Sequence, residues 1–416
     1  MQRLWAKLPL RLRLRVGGAA VSLTPEGMTG EGAHRRGALL VASAVFALAS
    51  GFSLASAAAR SSSSAPLVIA VEGPQSGAQA ANGVDQLRGV RLAVNQLNAR
   101  GGLWDGRKVA VFAANDKADA ANAKAVARHV IAKGIRFVIG PYNSSVGIEN
   151  LPLYRRAKVL PLWMTSRDET AGVGATTQPM NTQIAPVEQR YVKGLGARRV
   201  AMLVDDTPNG AFTKGMAERL RAALQRDGAS VTWTSVLEAT DPGATGSYYA
   251  DRVAEALKSN PDLVYVSTYF PAGVQIAKAL AASGTTPRCL MGLANVDNGF
   301  VAKTTLAEAQ RCVFSGVPAA TEMPSAKTYV RQYRATFRKT PGVWGSFTYD
   351  SARILFAAID RAKSYGFAAV ERRLRATKSY RGATGTITIN RKTGYRTNVP
   401  VSILRVDSRK RFVIAK

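Results

Sequence analysis

Cysteine and histidine are nearly missing from this sequence. Its 416 residues hold two Cys and two His, too few for a Cys/His zinc cluster and poor material for a Ser-His-Asp nucleophile. His34 lies near the N-terminus, which leaves His129 of "NAKAVARHVIAKG", where the spacing predicts a helix surface. Acidic residues are scarce as well: 27 Asp and Glu face 57 Lys and Arg, a formal net charge of +30. Nucleic-acid binding needs Lys and Arg gathered on one surface to neutralise phosphates. Here the basic residues are spread along the chain, with only short runs after residue 60 such as "ERRLRATKSYR" and "DSRKRFVIAK". A spread excess bears on solubility and nonspecific association, and no nucleic-acid partner is expected.

Cofactor signatures are lacking too. "GPYNSSVG" has no Gly-Lys-Ser/Thr at Walker A spacing, and "GLANVDNG" is too irregular for a calcium loop, so neither a cofactor nor a metal is expected. In "VDDTPNG", Asp205 and Asp206 follow a strand and are assigned to a rim or a helix cap. Trp233 and Trp344 are expected in the core; Trp163, close to a candidate contact loop, stays open between core and ligand.

What is present is an ordinary globular composition, 46% hydrophobic and 7% aromatic, which excludes a mainly disordered or fibrous chain. The length favours two domains over one. Residues 1–60 read as an export signal with a long basic n-region: Arg35 and Arg36 precede the apolar stretch Gly37 to Ala59, which ends in small residues of the kind a signal peptidase cuts. Met28 is an alternative start, and an uncleaved membrane anchor is the alternative fate of the apolar stretch. No Cys near the cut supports a lipid anchor. Cleavage would remove eight basic and two acidic residues and leave a charge of +24.

From residue 66 the chain alternates strands and helices. "LVIAVEG", "KVAVFAAND", "FVIGP" and "VLPLWMT" read as strands, and "QLRGVRLAVNQLNARGG" reads as a helix with Leu87, Val90, Val94 and Leu97 on one face. The rhythm restarts at "RVAMLVDD", with Phe212, Met216, Leu220 and Leu224 recurring every four residues, and continues through "DLVYVSTYF", "RCLMGLA" and "RCVFSGV". Strict alternation implies parallel sheets covered on both faces. "TTQPMNTQIAPVE" is expected to be the first crossover between the two units, and "GTITIN", "VPVSILRV" and "RFVIA" an antiparallel tail. Cys289 and Cys312 begin similar strands and would form a disulfide if those strands are neighbours; two buried free thiols are the alternative.

In their order and spacing, "VEGPQSG", "LRGVRLAVNQLNARGG", "NPDLVYVSTYFPAG" and "YDSARI" resemble the type I periplasmic solute-binding proteins of ABC transporters, in the branched-chain amino acid (Leu/Ile/Val)-binding family. The resemblance covers nearly all of residues 66–416. It implies an α/β fold of two doubly wound parallel-sheet lobes joined by a three-crossover hinge. Lobe I would take 66–183 plus 318–372, and lobe II 184–317 plus 373–416. It also implies a periplasmic, non-enzymatic monomer that takes a small-molecule solute to an inner-membrane ABC permease. A ligand-sensing receptor domain of the same fold is the first alternative, and an α/β enzyme using carboxylates the second.

Ligands of open α/β sheets bind beyond the carboxyl ends of the strands. Asn143, Ser144 and Ser145 stand there, ahead of a helix whose free N–H groups would hold an anion; a plain helix cap is the bland reading. By resemblance, Ser144 and Ser145 match serines that grip an amino-acid carboxylate. The second contact loop is Thr165, Ser166, Arg167 and Asp168, a departure from the family's Pro-Ala-Ala-Thr. Asp168 would meet an ammonium and Arg167 a second carboxylate, or the two would pair with each other. Tyr269 or Phe270 matches the aromatic over the ligand. The family's acidic partner for the ammonium aligns with Ala294, beside Asn295, so Asp168, Asp297 or Glu72 must substitute or the ligand is not a standard amino acid. Asn82 stands where relatives carry an aromatic.

Overall fold

The computed structural model describes residues 65–415; the expected export signal, residues 1–60, lies outside them. The chain opens with β1 (Leu67–Gly73), α1 (Ala80–Ala99), β2 (Val109–Asn115), α2 (Ala120–Ala132), β3 (Phe137–Ile139), α3 (Ser144–Arg156) and β4 (Leu160–Leu162). These strands form a parallel sheet in the order β2-β1-β3-β4. Its central strands are buried on both faces, with Ile69, Val71, Phe137 and Ile139 out of solvent on one side and Ala70 and Val138 on the other, as a sheet sandwiched between helices requires.

The second unit runs through α4 (Asn181–Gly194), β5 (Arg199–Asp205), α5 (Ala211–Arg226), β6 (Ser230–Val236), α6 (Gly246–Leu257), β7 (Leu263–Ser267), α7 (Phe270–Ala282), β8 (Arg288–Met291), α8 (Asn298–Lys303), α9 (Leu306–Gln310) and β9 (Val313–Gly316). After α10 (Lys327–Phe337), α11 (Trp344–Ala362), α12 (Phe367–Arg375) and the hairpin β10 (Tyr380–Gly382) and β11 (Gly385–Ile387), the chain ends in β12 (Ser402–Val406) and β13 (Phe412–Ile414). The second sheet has the order β13-β12-β9-β8-β7-β5-β6; β5 to β9 are parallel, and β12 runs antiparallel to both β9 and β13. Two α/β lobes with parallel sheets result. The antiparallel tail is present, except that "GTITIN" pairs in its own hairpin and not in the main sheet.

Local sequence explains the connections. Residues 317–375 return to the first lobe because α11 lies along α1 at backbone contact: a Cβ on Gly89 would come within 2.0 Å of the Gly345 carbonyl oxygen. The buried Asp85 carboxylate fastens the start of α11, accepting from Gly345 N at 2.6 Å, Gly342 N at 2.9 Å and Tyr333 Oη at 2.9 Å.

Two expected boundaries fall inside helices. Residues 183/184 divide α4, so only the first half of "TTQPMNTQIAPVE" is crossover and its second half is helix, with Pro186 inside. Residues 372/373 divide α12, and the β10–β11 hairpin is tied to α11 through Asp350, which accepts from Ala383 N and Thr384 N at 2.8 Å each.

The sulfurs of Cys289 and Cys312 are joined across neighbouring strands β8 and β9, closing a sequence separation of 23. A loop of that length restricts the unfolded chain by roughly 3 kcal/mol. Cys289→Ser with Cys312→Ser is expected to lose about that much unfolding free energy in urea titration, and reductant should destabilise the parent but not the variant. Identical behaviour with and without reductant would show the bridge to be energetically idle.

Candidate functional site

In each sheet the first strand lies between the two that follow it, β1 between β2 and β3, and β5 between β6 and β7. Successive connections therefore leave on opposite faces, and a crevice opens at that point beyond the strand tips. Residues from both lobes line one pocket there: Tyr142 and Ser144 after β3, Met164 and Ser166 after β4, Gln178 from the first crossover, Trp344 at the start of α11, Phe212 in α5, Tyr269 after β7, and Leu293 and Ala294 after β8. Its free volume is about 20 Å³, room for little more than a water molecule, so a solute enters only when the lining side chains or the lobes part.

Of the 143–145 segment, buried on all three residues, Ser144 lines this pocket and Asn143 and Ser145 flank it in the chain without lining it. The helix-cap reading fails on geometry. Asn143 has the backbone conformation of an N-cap, yet its side chain makes no capping bond; its amide donates to Gln79 Oε1 at 3.1 Å, and its Oδ1 has no partner. Ser144 Oγ accepts from Ser166 N at 3.3 Å and Arg167 N at 3.4 Å, joining two loops of lobe I. Ser145 Oγ, buried beside it, bonds to nothing. The Ser145 hydroxyl and the unpaired N–H groups of the helix start are donors that an acceptor on a ligand would complete, whereas Asn143 Oδ1 calls for a donor.

The second contact loop departs from expectation after Ser166. Ser166 Oγ donates to Pro179 O at 2.7 Å and accepts from Gln178 Nε2 at 3.2 Å, while Thr165 Oγ1, out of the pocket, donates to Thr170 Oγ1 at 2.6 Å. That bond and the short turn at Asp168–Thr170 carry Arg167 and Asp168 out to the rim. Neither lines the pocket, and they do not pair with each other. Arg167 pairs with Glu169 at 2.5 Å and donates to Ala211 O of lobe II at 3.0 Å; the Glu169 pair raises its pKa. Asp168 pairs with Arg219 of α5 and accepts from Tyr395 Oη at 3.2 Å. These two residues bridge the lobes from outside.

On the lobe II side Tyr269, not Phe270, faces the pocket. Its ring meets Phe212 with centroids 6.2 Å apart, and burial holds its hydroxyl above the ordinary range, with the Asn143 side chain opposing that shift. Phe270 packs inward, so close to Gly299 that a Cβ there would lie 2.5 Å from its ring. Ala294 lines the pocket, but Asn295 turns away and its Nδ2 donates to Thr268 O at 2.9 Å. Asn82 lies in a neighbouring groove with Asp85, Arg88 and Asp297.

Of the carboxylates named as substitute ammonium partners, Asp168 is on the rim and Glu72 is in the lobe I core. Glu72 accepts from Tyr154 Oη at 2.7 Å and from Asn150 Nδ2, its pKa driven up by burial and by Asp116. Asp297 lies in the adjacent groove: it accepts from Gly299 N at 2.5 Å, and burial lifts it to about 7.

Sequence reasoning missed Tyr142, Met164, Gln178, Phe212, Leu293 and Trp344. Trp344 is core-buried and also lines the site, 5.9 Å from Tyr142 between ring centroids. Trp163 is buried and does not line it. Trp233 is not in the core: it lies half-buried on β6, where Nε1 donates to Asp206 Oδ2 at 3.2 Å. His129 is on the helix surface.

Comparison with known proteins agrees with this architecture. A Leu/Ile/Val-binding protein of Rhizobium johnstonii is 29% identical over 358 residues, covering 83% of this chain and 93% of its own. A leucine-binding protein from Thermotoga maritima superposes with a TM-score of 0.75 at 20% identity, covering 84% of this chain and 98% of its own. An ABC-transporter solute-binding protein from Rhodopseudomonas palustris, solved with 3,4-dihydroxybenzoic acid, superposes with a TM-score of 0.69 at 19% identity, covering 82% and 93%. Among the described residues no helix is long and apolar enough to cross a membrane. The family model for periplasmic binding proteins matches residues 66–411, and with the two-lobed fold and its interlobe pocket this places the chain in the periplasmic binding protein family, type I.

Proposed function

We propose that the chain is an exported, monomeric solute-binding protein that captures a small organic solute, an amino acid or related carboxylate, between its lobes and hands it to an inner-membrane ABC permease. The lobes would be 66–180 plus 317–396 and 181–316 plus 397–416, the sequence-based division shifted so that no helix is cut and the hairpin stays with α11. The observation that carries the reading is the pocket itself, whose lining comes from both lobes. A solute making contacts on both sides is bound fully only in the shut form, so it shifts the population toward closure, and the permease would read the apposed rims. The relatives named for leucine, isoleucine and valine supply the transport context. A receptor domain of the same fold remains the second reading; a permease that binds the loaded protein would decide between them. The family is one of binding proteins and not of enzymes.

Ser144→Ala tests the site. A hydrogen bond to a charged group contributes roughly 1.5–3 kcal/mol, so affinity for whatever solute copurifies should fall about tenfold or more by calorimetry. The fold should lose roughly 1–3 kcal/mol, because the Ser166 and Arg167 N–H groups each lose a long hydrogen bond. Unchanged affinity would detach Ser144 from the ligand.

A further inference from the structure

The base of lobe I, where β1 and β2 begin side by side at Leu67 and Val109, displays a side chain that neither the core nor the solute pocket uses. Trp104 is 47% exposed, whereas Trp163 and Trp344 are buried. A single exposed apolar side chain is ordinary; its setting is what sets this one apart. Trp104 belongs to the tight turn between α1 and β2, closed by Leu103 N donating to Arg107 O at 2.9 Å and Gly106 N donating to Leu103 O at 2.7 Å. Its own N–H donates to Asp360 Oδ1 of α11 at 2.9 Å, and Leu103 beside it packs in the core. Tyr365 clamps the turn further, its hydroxyl donating to Asp105 at 2.8 Å and its ring centroid 4.6 Å from the Arg107 guanidinium. The backbone is held and the indole faces water.

The surroundings are cationic. Arg100 caps the end of α1, Lys108 follows the turn, and Arg361 and Lys363 stand at the end of α11 beside the Asp360 that accepts from Trp104. Arg107 pairs with Asp105 at 3.7 Å, which leaves Asp360 as the acid of this set against those four cations. The chain also enters the lobe here: Leu67 N donates to Lys108 O at 2.8 Å. Only residues 60–66 separate β1 from the apolar stretch Gly37 to Ala59, a reach of at most about 25 Å when fully extended. A leader lodged in a bilayer, before cleavage or in place of it, would keep this face within that distance of the lipid.

An indole ringed by Lys and Arg fits one kind of surface. Trp places its ring at the headgroup level of a bilayer, and each nearby cation adds attraction to anionic lipid. A soluble polyanion would use the cations and leave the indole idle. We propose that the base of lobe I around Trp104 docks on a bilayer that contains anionic phospholipid. The solute pocket lies beyond the opposite, carboxyl ends of the same strands, so docking leaves it accessible and holds the protein at the membrane between encounters with a permease, which meets the rims in a different pose. Docking does not depend on which solute is bound.

Sedimentation of the exported protein with vesicles tests it. Vesicles of phosphatidylglycerol mixed with phosphatidylcholine should bind the protein, less tightly as salt rises, and vesicles of phosphatidylcholine alone should bind it far more weakly. Trp104→Ala should weaken binding to the mixed vesicles about fivefold or more, and Arg361→Glu with Lys363→Glu about tenfold or more, while affinity for the copurifying solute stays unchanged. Arg226→Glu with Lys258→Glu makes the same change of charge at exposed helix ends of lobe II; as the control, it should weaken vesicle binding less than about twofold. Equal losses from the two charge reversals would reduce the attraction to net charge and overturn the assigned face. Full retention of vesicle binding by Trp104→Ala, or no binding to the mixed vesicles by the parent, would overturn it as well.

Discussion

Replacing Arg396 with alanine is expected to destabilise the protein by roughly 3–5 kcal/mol, the loss typical of a buried charge whose partner is removed. Arg396 is 1% exposed. Its guanidinium donates to Thr384 Oγ1 and Thr384 O at 2.8 Å, to Thr386 O at 3.1 Å and to Thr177 O at 3.3 Å. Thr384 Oγ1 relays the charge by donating to Asp350 Oδ2 at 2.7 Å. Burial pushes the arginine down to about 10, with Asp350 opposing that shift, so the ion remains cationic at neutral pH. One side chain thus ties together the first crossover at Thr177, the β10–β11 hairpin and the start of the return to lobe II. The carbonyl of Arg396 also accepts from Gln183 Nε2 of α4 at 2.8 Å. Truncation would strand three carbonyls and an acid in the region where the lobes connect. Urea unfolding gives the magnitude, and a loss below about 1 kcal/mol would mean that water replaces the guanidinium freely.

The second large effect is on binding. Tyr269→Ala is expected to weaken the solute by roughly 30- to 150-fold, the equivalent of about 2–3 kcal/mol for an aromatic side chain removed from a buried contact. Tyr269→Phe should keep most of the affinity, because the ring and not the hydroxyl closes on the solute next to Phe212. Fluorescence titration reads both variants, with Trp344 in the pocket wall as reporter. Equal affinities for wild type and Tyr269→Ala would remove lobe II from the contact and with it the closure mechanism.

The fold was legible in the sequence because burial on both faces of parallel strands writes itself as uninterrupted apolar runs, and "LVIAVEG", "RVAMLVDD" and "DLVYVSTYF" all became strands. The site was legible only where it is local. Ser144 and Tyr269 stand a few residues beyond strand ends; position pointed to Ser144, and the family resemblance pointed to it together with Ser145 and to Tyr269 only as one of a pair with Phe270. Arg167 and Asp168 also follow a strand, but the Thr165–Thr170 bond turns the chain outward one residue earlier, and nothing in the spacing announces that turn. Trp344 reaches the pocket from some two hundred residues away through the α1–α11 contact, which no sequence window contains. Arg396 is one of 57 basic residues; its burial depends on three separate segments meeting. Gln178 was hidden inside a crossover whose second half proved to be helix.

The most direct test is a crystal structure of the protein with its solute bound. The carboxylate should lie within hydrogen-bonding distance of Ser144 Oγ at the start of α3, and the rest of the molecule between the Tyr142–Trp344 and Phe212–Tyr269 pairs. Density for the solute in the groove of Asn82, Asp85 and Arg88, or on the outer rim at Arg167 and Arg219, would contradict the assignment of the site.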